Sequence, residues 1–580
     1  MEKKMKRIMN KVLDHPWLVV AALLAISAVF FVAMATGTRM ETDLDEYMPQ
    51  SHPAFVYSNQ AEEWFDIKDG IIIAIEHPEG IYNSGTLEKI KSLTKELQKL
   101  DEIQKSDVTS LYTADNIIGT ELGMDVKAFY KKAPTSPEAL EDLRIKVRDN
   151  EMIFGRLVST DEKASLIIAE IADGVFSQEF YHRVLKLAEN YEGPEQLYVA
   201  GKPIVEGTLA FLGPKDMRRM APLVFLVIVV MLLLILKSVK NALLNISIVI
   251  LSTVWVFGLM ALLKIPMYSV STMIPVMLIA IGVADGIHIF SHLQLFLRDH
   301  PQVTKREAVL NTVQAMWKPV LMTSVTTAVG FSALVTSQVF PVKYFGLFTA
   351  FGVMVAMLLS LVLVPAGVMI LGLPKEGKKR RGEARGQTID RMRESKDIGG
   401  RGSRFAYAFA GWIVRYKYVT LVAVSAILII SVFGITRVWI NSSFLSKFSR
   451  DSGIVQTDRF VNRHFGGTST LNVILESRSK DTMKNPEVLR IVDRIQADVE
   501  ELETVGNSFS LADYLKRMNK VLHADDPVYD RIPESRELVA QYLLLYEMSG
   551  DPENLWRFVD YEYRTGNLTV QLKSDDSRTI

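Results

Sequence analysis

Cysteine is missing from all 580 residues. That excludes a disulfide framework, thiolate metal sites and a cysteine nucleophile. An excess of one charge is missing too. Lys and Arg number 66, as do Asp and Glu, so no overall field draws nucleic acid. Scarcest of all are acids within the long apolar runs. The runs come in blocks of about twenty residues, the length that crosses a bilayer as a helix. One carboxylate, Asp285, lies inside such a block. With 49% hydrophobic residues placed so unevenly, the chain reads as a multi-pass membrane protein with large water-exposed parts.

What is present falls into an order. Residues 1–16 carry Lys3, Lys4, Lys6, Arg7 and Lys11 around an apolar stripe of Met5, Ile8, Met9, Val12 and Leu13. This predicts a short amphipathic segment on the cytoplasmic face. Residues 17–37 read as a first span; Ala33, Met34 and Ala35 resemble a cleavage site, but the run is long for a signal peptide. Residues 41–216 are polar enough to be soluble and alternate strand with helix, which predicts a small α+β domain over a sheet. Ile71 to Ile75 and Leu166 to Ile171 read as buried strands, and Leu87, Ile90, Leu93, Leu97 and Leu100 as one face of a helix. Five spans follow, about 218–236, 242–263, 268–297, 318–337 and 344–372, with an interfacial helix expected over 298–317. Residues 374–404 form a basic, glycine-rich linker, residues 419–438 a seventh span, and 441–580 a second soluble domain.

Charge orients this order. Lys237 and Lys240, then Arg298, Lys305, Arg306 and Lys318, fall on the connections that a cytoplasmic N-terminus places inside. Both soluble domains are then outside the cytoplasmic membrane.

The two domains also repeat at an offset of about 400 residues. Phe65 matches Phe465. Ile71, Ile73, Ile75 and Glu76 match Leu471, Val473, Leu475 and Glu476. Asn83 and Leu87 match Asn485 and Leu489, and Ser110 with Leu111 matches Ser510 with Leu511. Leu568 to Leu572 stands for a late strand of the second copy, and no second block of five spans follows. The second repeat is therefore read as truncated: the chain is the first part of a longer protein, or another chain supplies the missing helices.

One span, a large domain, five spans, a linker and the same order again resemble the RND (resistance–nodulation–division) superfamily, most closely its MMPL-like and Patched-like exporters. Gly282, Val283, Ala284, Asp285, Gly286, Ile287 and His288 resemble the family's fourth-helix acidic motif. Thr323, Ser324, Val325, Thr326, Thr327, Ala328, Val329, Gly330 and Phe331 resemble its fifth-helix motif. Phe345 with Gly346, Pro365 with Ala366, and Pro203 with Ile204 resemble further landmarks. The resemblance implies ferredoxin-like porter domains and proton-driven export of hydrophobic or amphiphilic molecules, with no cofactor and no enzymatic step. The chain departs from the family in lacking a tenth helix, where a second polar cluster usually lies.

Asp285 is the expected proton-coupling group. A charged side chain at mid-bilayer costs about 2.5–3.5 kcal/mol or more, so it should face a partner or a wet cavity. His288 shares its helix face and is a candidate relay; His292 sits nearer the membrane edge and reads as interfacial. Thr323, Thr326, Thr327 and Gly330 share a face of the next helix, with Thr326 and Thr327 the candidate hydroxyl partners. Such threonines also serve merely to bond their own helix. Gly282, Gly286 and Gly330 are expected to allow close helix packing. Asp285, His288 and His292 could reach a metal on one face, but no second helix supplies a ligand and no metal site is expected. An intramembrane aspartyl protease needs two facing carboxylates and finds one. A Ser291–His292 hydrolase fails because neighbouring helix residues point about 100° apart. The rival to an exporter is a lipid-sensing or SecD/SecF-like translocation-assisting protein. Expected partners are hydrophobic or amphiphilic small molecules, the bilayer, and either a second copy or a chain bringing the missing helices.

Overall fold

The computed structural model describes residues 2–372 and 401–576, apart from 42, 50, 121–122, 172–176, 192, 439–442 and 444. The linker read over 374–404 lies outside the described residues as far as 400. Seven helices among the described residues are long and apolar enough to cross a membrane.

The chain opens with α1 (Glu2–Asp14), whose Met9, Val12 and Leu13 are buried, and α2 (Pro16–Gly37). The first α/β unit follows. It contains β1 (Gly70–Glu76), α3 (Ser84–Leu97), β2 (Val108–Ser110), the hairpin β3 (Asp115–Thr120) and β4 (Gly123–Ala128), β5 (Ala164–Glu170), α4 (Gln178–Asn190) and β6 (Gln196–Ala200). Four strands form one antiparallel sheet in the order β2-β5-β1-β6. Leu87, Ile90, Leu93 and Leu97 lie fully buried on α3, because i, i+3, i+4 spacing puts them on one face. Asn83 caps that helix by accepting the Thr86 N–H at 2.8 Å.

At the end of β6 the backbone turns through Gly201, with φ +113° and so little room that a Cβ would stand 2.1 Å from the Gly70 carbonyl oxygen. Only glycine fits there without strain. Pro203 then starts α5 (Lys202–Leu236). The span expected at 218–236 is the far part of this 35-residue helix, since nothing breaks the helical run between. At 1.5 Å per residue it is about 52 Å long, more than a bilayer needs.

Four more helices complete the bundle: α6 (Val239–Leu262), α7 (Ile274–Asp299), α8 (Lys305–Ser332) and α9 (Phe340–Leu371). The separate interfacial helix expected over 298–317 is not formed. Residues from Lys305 run unbroken into the membrane-length part of α8, capped by Thr304 and containing Pro319. Arg306 pairs with Asp14 at 2.7 Å and ties α1 to this helix. Close approach is built from small residues: a Cβ at Gly352 would press on Leu278, and one at Gly367 on Leu244. After the linker come α10 (Arg401–Arg415) and α11 (Lys417–Ile435); α11 buries none of its residues.

The second α/β unit contains β7 (Ser469–Glu476), α12 (Pro486–Glu500), β8 (Val505–Phe509), α13 (Leu511–Leu522), α14 (Arg536–Ser549) and β9 (Thr565–Leu572). Its antiparallel sheet runs β7-β9-β8, the order that β1-β5-β2 takes in the first unit. The residues aligned by the 400-residue offset occupy matching places: Asn83 and Asn485 each cap the helix after the first strand.

The two units are interlocked. The β3–β4 hairpin is a two-stranded sheet of its own and packs on α13 and α14, with Ile117 buried among Leu515, Met518 and Tyr546. Arg517, 7% exposed, donates to the carbonyls of Ile117 and Asp149, each at 3.2 Å. In return Phe460, on helix Gly453–His464, stacks on Tyr198 of β6 with ring centres 4.0 Å apart. Helix and hairpin thus cross over in opposite directions.

Candidate functional site

Two places in this frame are candidates for function. The first is on α7. Asp285 is 6% exposed, 11 residues into a 26-residue helix. The Ser324 hydroxyl of α8 donates to Asp285 Oδ2 at 3.0 Å. Two glycines bring the flanking helices close. A Cβ added at Gly282 would lie 3.2 Å from the Ala356 Cβ of α9, and one at Gly286 would lie 2.1 Å from Asn245 Oδ1 of α6. Asn245 donates through Nδ2 to the Val283 carbonyl at 3.1 Å. Its own Oδ1 is buried without a partner.

Several candidate residues lie elsewhere than expected. The Thr326 hydroxyl bonds the Met322 and Thr323 carbonyls, and that of Thr327 bonds the Thr323 carbonyl, so neither reaches Asp285. Thr326 is exposed, and so is Gly330, where an added Cβ would meet nothing within 4 Å. The physical reason is helix rotation. Trp317, Val320, Ser324 and Ala328 repeat at three and four residues and are buried, so Thr326 and Gly330 face outward. The buried stripe of Val313, Trp317 and Val320 reaches Ser324 one turn on, but the packing of α8, not its sequence, selects that stripe over the threonine face. Asn245 had no sequence signal either. His288 is exposed one turn along α7 from Asp285, near enough for its charge to act on that carboxylate, and His292 is half-buried with Nδ1 unpartnered. No group of three or more His, Cys, Asp or Glu placed to hold a metal occurs among the described residues.

The second place is a cavity of about 920 Å³ between the two α/β units. Ile72 and Ile168 of the first sheet line it, with Phe509, Tyr514 and Phe558 of the second unit. Lys202 and Val205, in the first turn of α5, line it as well. Its size is that of a small-molecule site, and its apolar walls are interleaved with many charged side chains. The same α5 runs on into the bundle, where Gln294 of α7 donates to the Leu236 carbonyl at its far end, 3.2 Å away. One continuous helix therefore touches the cavity at one end and the helix of Asp285 at the other.

Comparison with known proteins gives two results. A model described as the MMPL family matches residues 83–397. MJ1562 of Methanocaldococcus jannaschii, named as a membrane protein, is 22% identical over 380 residues, which are 63% of this chain and 93% of that protein.

Proposed function

The chain belongs to the MMPL family, and on that premise we propose that it is a secondary transporter that uses a proton gradient to move hydrophobic or amphiphilic molecules out of the cytoplasmic membrane. One observation carries the proton half of this reading: a buried carboxylate midway along a membrane-length helix, with the Ser324 hydroxyl as its hydrogen-bond partner among the described residues. Coupling needs a group that is charged in one conformation and neutral in the other. As a carboxylate, Asp285 accepts the Ser324 hydrogen. Once protonated, it can donate to the same oxygen, because a hydroxyl both gives and takes a hydrogen bond. The exchange reverses one hydrogen bond and removes one charge from the helix interface. Each proton crossing 100 mV supplies about 2.3 kcal/mol. That is enough to bias two conformations that differ by a few kcal/mol.

The cavity supports the substrate half. Helix α5 is the mechanical link in this reading: tilting its bundle end moves Lys202 and Val205 at its other end, and so alters the cavity mouth. Its first turn is held by ion pairs of Lys202 to Asp45 at 2.6 Å and Asp69 at 3.0 Å. Glu206 accepts from the Leu44 N–H at 3.2 Å.

The test is efflux from proteoliposomes. With an imposed proton gradient, a fluorescent amphiphile should leave the membrane faster in the presence of the protein. Asp285→Asn, which keeps the shape and cannot ionise, should reduce that rate to the level of protein-free vesicles. An undiminished rate in the variant refutes the coupling role.

A further inference from the structure

The cavity between the two α/β units holds more acid than base. Among the described residues, seven carboxylates and five cationic side chains line it. Three of the carboxylates are paired with lining cations: Asp66 with Lys68 at 2.7 Å, Asp69 with Lys202 at 3.0 Å, and Glu170 with Arg557 at 2.7 Å. Asp115 and Asp458 are held otherwise. Asp115 accepts from Tyr546 Oη at 2.7 Å and Asn554 Nδ2 at 2.9 Å. Asp458 accepts from the Thr468 hydroxyl and from Asn462 Nδ2 at 3.1 Å. All four donors are neutral. Burial pushes both carboxyls above the ordinary carboxylate range. Burial does the same to Glu170 despite the opposing pull of Arg557.

A second observation is independent of charge. Asn567 lines the cavity, is 3% exposed, and its Oδ1 has no hydrogen-bond partner. Glu170 Oε2 is also buried and unpartnered. Arg557 joins these two acceptors, donating to Glu170 Oε1 at 2.7 Å while its carbonyl accepts from Asn567 Nδ2 at 3.1 Å. An unmet buried acceptor costs about 1–3 kcal/mol, so both oxygens gain from a ligand that donates. The orphaned donor on this wall is Arg156 Nη1. That guanidinium is already engaged: it lies 3.9 Å from the centre of the Phe509 ring and 3.6 Å from Asp513.

We propose that this cavity binds amphiphiles whose head is a primary ammonium, with the N–H groups directed at the acceptors Glu170 and Asn567, the acid excess balancing the charge, and the tail lying on the apolar walls. The proposal rests on reading the cavity as the substrate chamber and specifies the ligand chemistry.

The test is direct binding by calorimetry to the full chain in lipid nanodiscs. The probes are octylammonium, octyltrimethylammonium, octyl sulfate and octanol, each below its micellar concentration. Octylammonium should bind about tenfold or more tighter than octyl sulfate. Octyltrimethylammonium should fall between them, because it carries the charge without the N–H donors. Asp458→Asn should narrow the ammonium-over-sulfate ratio severalfold, and Asp458→Glu, which keeps the charge, should restore it. Asn567→Leu should narrow the gap between octylammonium and its trimethyl analogue. Equal or tighter binding of octyl sulfate, no saturable binding of octylammonium, or an unchanged ratio in Asp458→Asn overturns the proposal. Efflux decides the transport reading separately: a charge preference without proton-driven efflux sinks transport alone, and driven efflux without the preference sinks the ligand assignment alone.

Discussion

The two α/β sheets begin from nearly the same strand and treat it in opposite ways. On β1, Ile71, Ile73 and Ile75 are all 0% exposed. At the matching places on β7, Leu471 is 40% and Val473 38% exposed. Strand order and the capped helix after the first strand agree between the units. What differs is the neighbour. β1 lies between β5 and β6, whereas β7 pairs with β9 on one side and is an edge strand among the described residues. The first sheet is also sealed by helices over its face, with Phe180 and Val184 of α4 and Leu87 of α3 joining one core with the β1 isoleucines. An apolar strand is thus core in one unit and surface in the other, and the difference lies in what packs on it.

The largest expected effect breaks that comparison if it fails. Ile73→Ala should cost about 2–5 kcal/mol through lost burial and a cavity, while Val473→Ala should stay within about 0.5 kcal/mol. Thermal unfolding of the purified chain, followed through its soluble units, checks both; equal losses would mean that β7 is as covered as β1. Next comes the interlock that sets the units side by side. Arg517→Met leaves two carbonyls of the first unit without their donor and should cost about 2–4 kcal/mol. Hydrogen exchange should quicken in β3 and β4 and leave β1 protected. Within the membrane, Ser324→Ala removes the hydroxyl partner of Asp285, a hydrogen bond of about 1 kcal/mol, and should slow proton-driven efflux about fivefold. The smallest change is expected at Thr326→Val, whose hydroxyl bonds its own helix; efflux should stay within about twofold of the unaltered protein.

Much of the architecture was legible in the order of residues. Apolar blocks of bilayer length mark the long helices, and Asn83 and Asn485 mark the starts of α3 and α12. The 400-residue offset pointed to two related sheets before their strand orders were known. Less of the candidate sites could be read. Asp285 stood out because a carboxylate in an apolar run is costly wherever the helix turns. Its partner did not, because Thr323 to Thr327 offers four hydroxyls and rotation of α8 selects Ser324. The arm β3–β4 reads like any short hairpin, and nothing local says that it stands apart from the first sheet and packs on the neighbouring unit. The merging of residues 305–332 into one helix was hidden by the polar residues over 298–317, which read as a separate interfacial helix.

By itself, the sequence determined which segments must leave water, where one acid would be buried at a cost, and that one strand–helix pattern occurs twice. These follow from hydrophobicity and spacing, which act over a few residues and need no knowledge of neighbours. Tertiary structure alone decided which hydroxyl meets Asp285, which of two like strands is covered, and that, among the described residues, seven carboxylates and five cations from distant segments enclose one cavity. Those outcomes depend on helix rotation and on contacts between residues hundreds of positions apart, which close packing settles and local pattern does not encode.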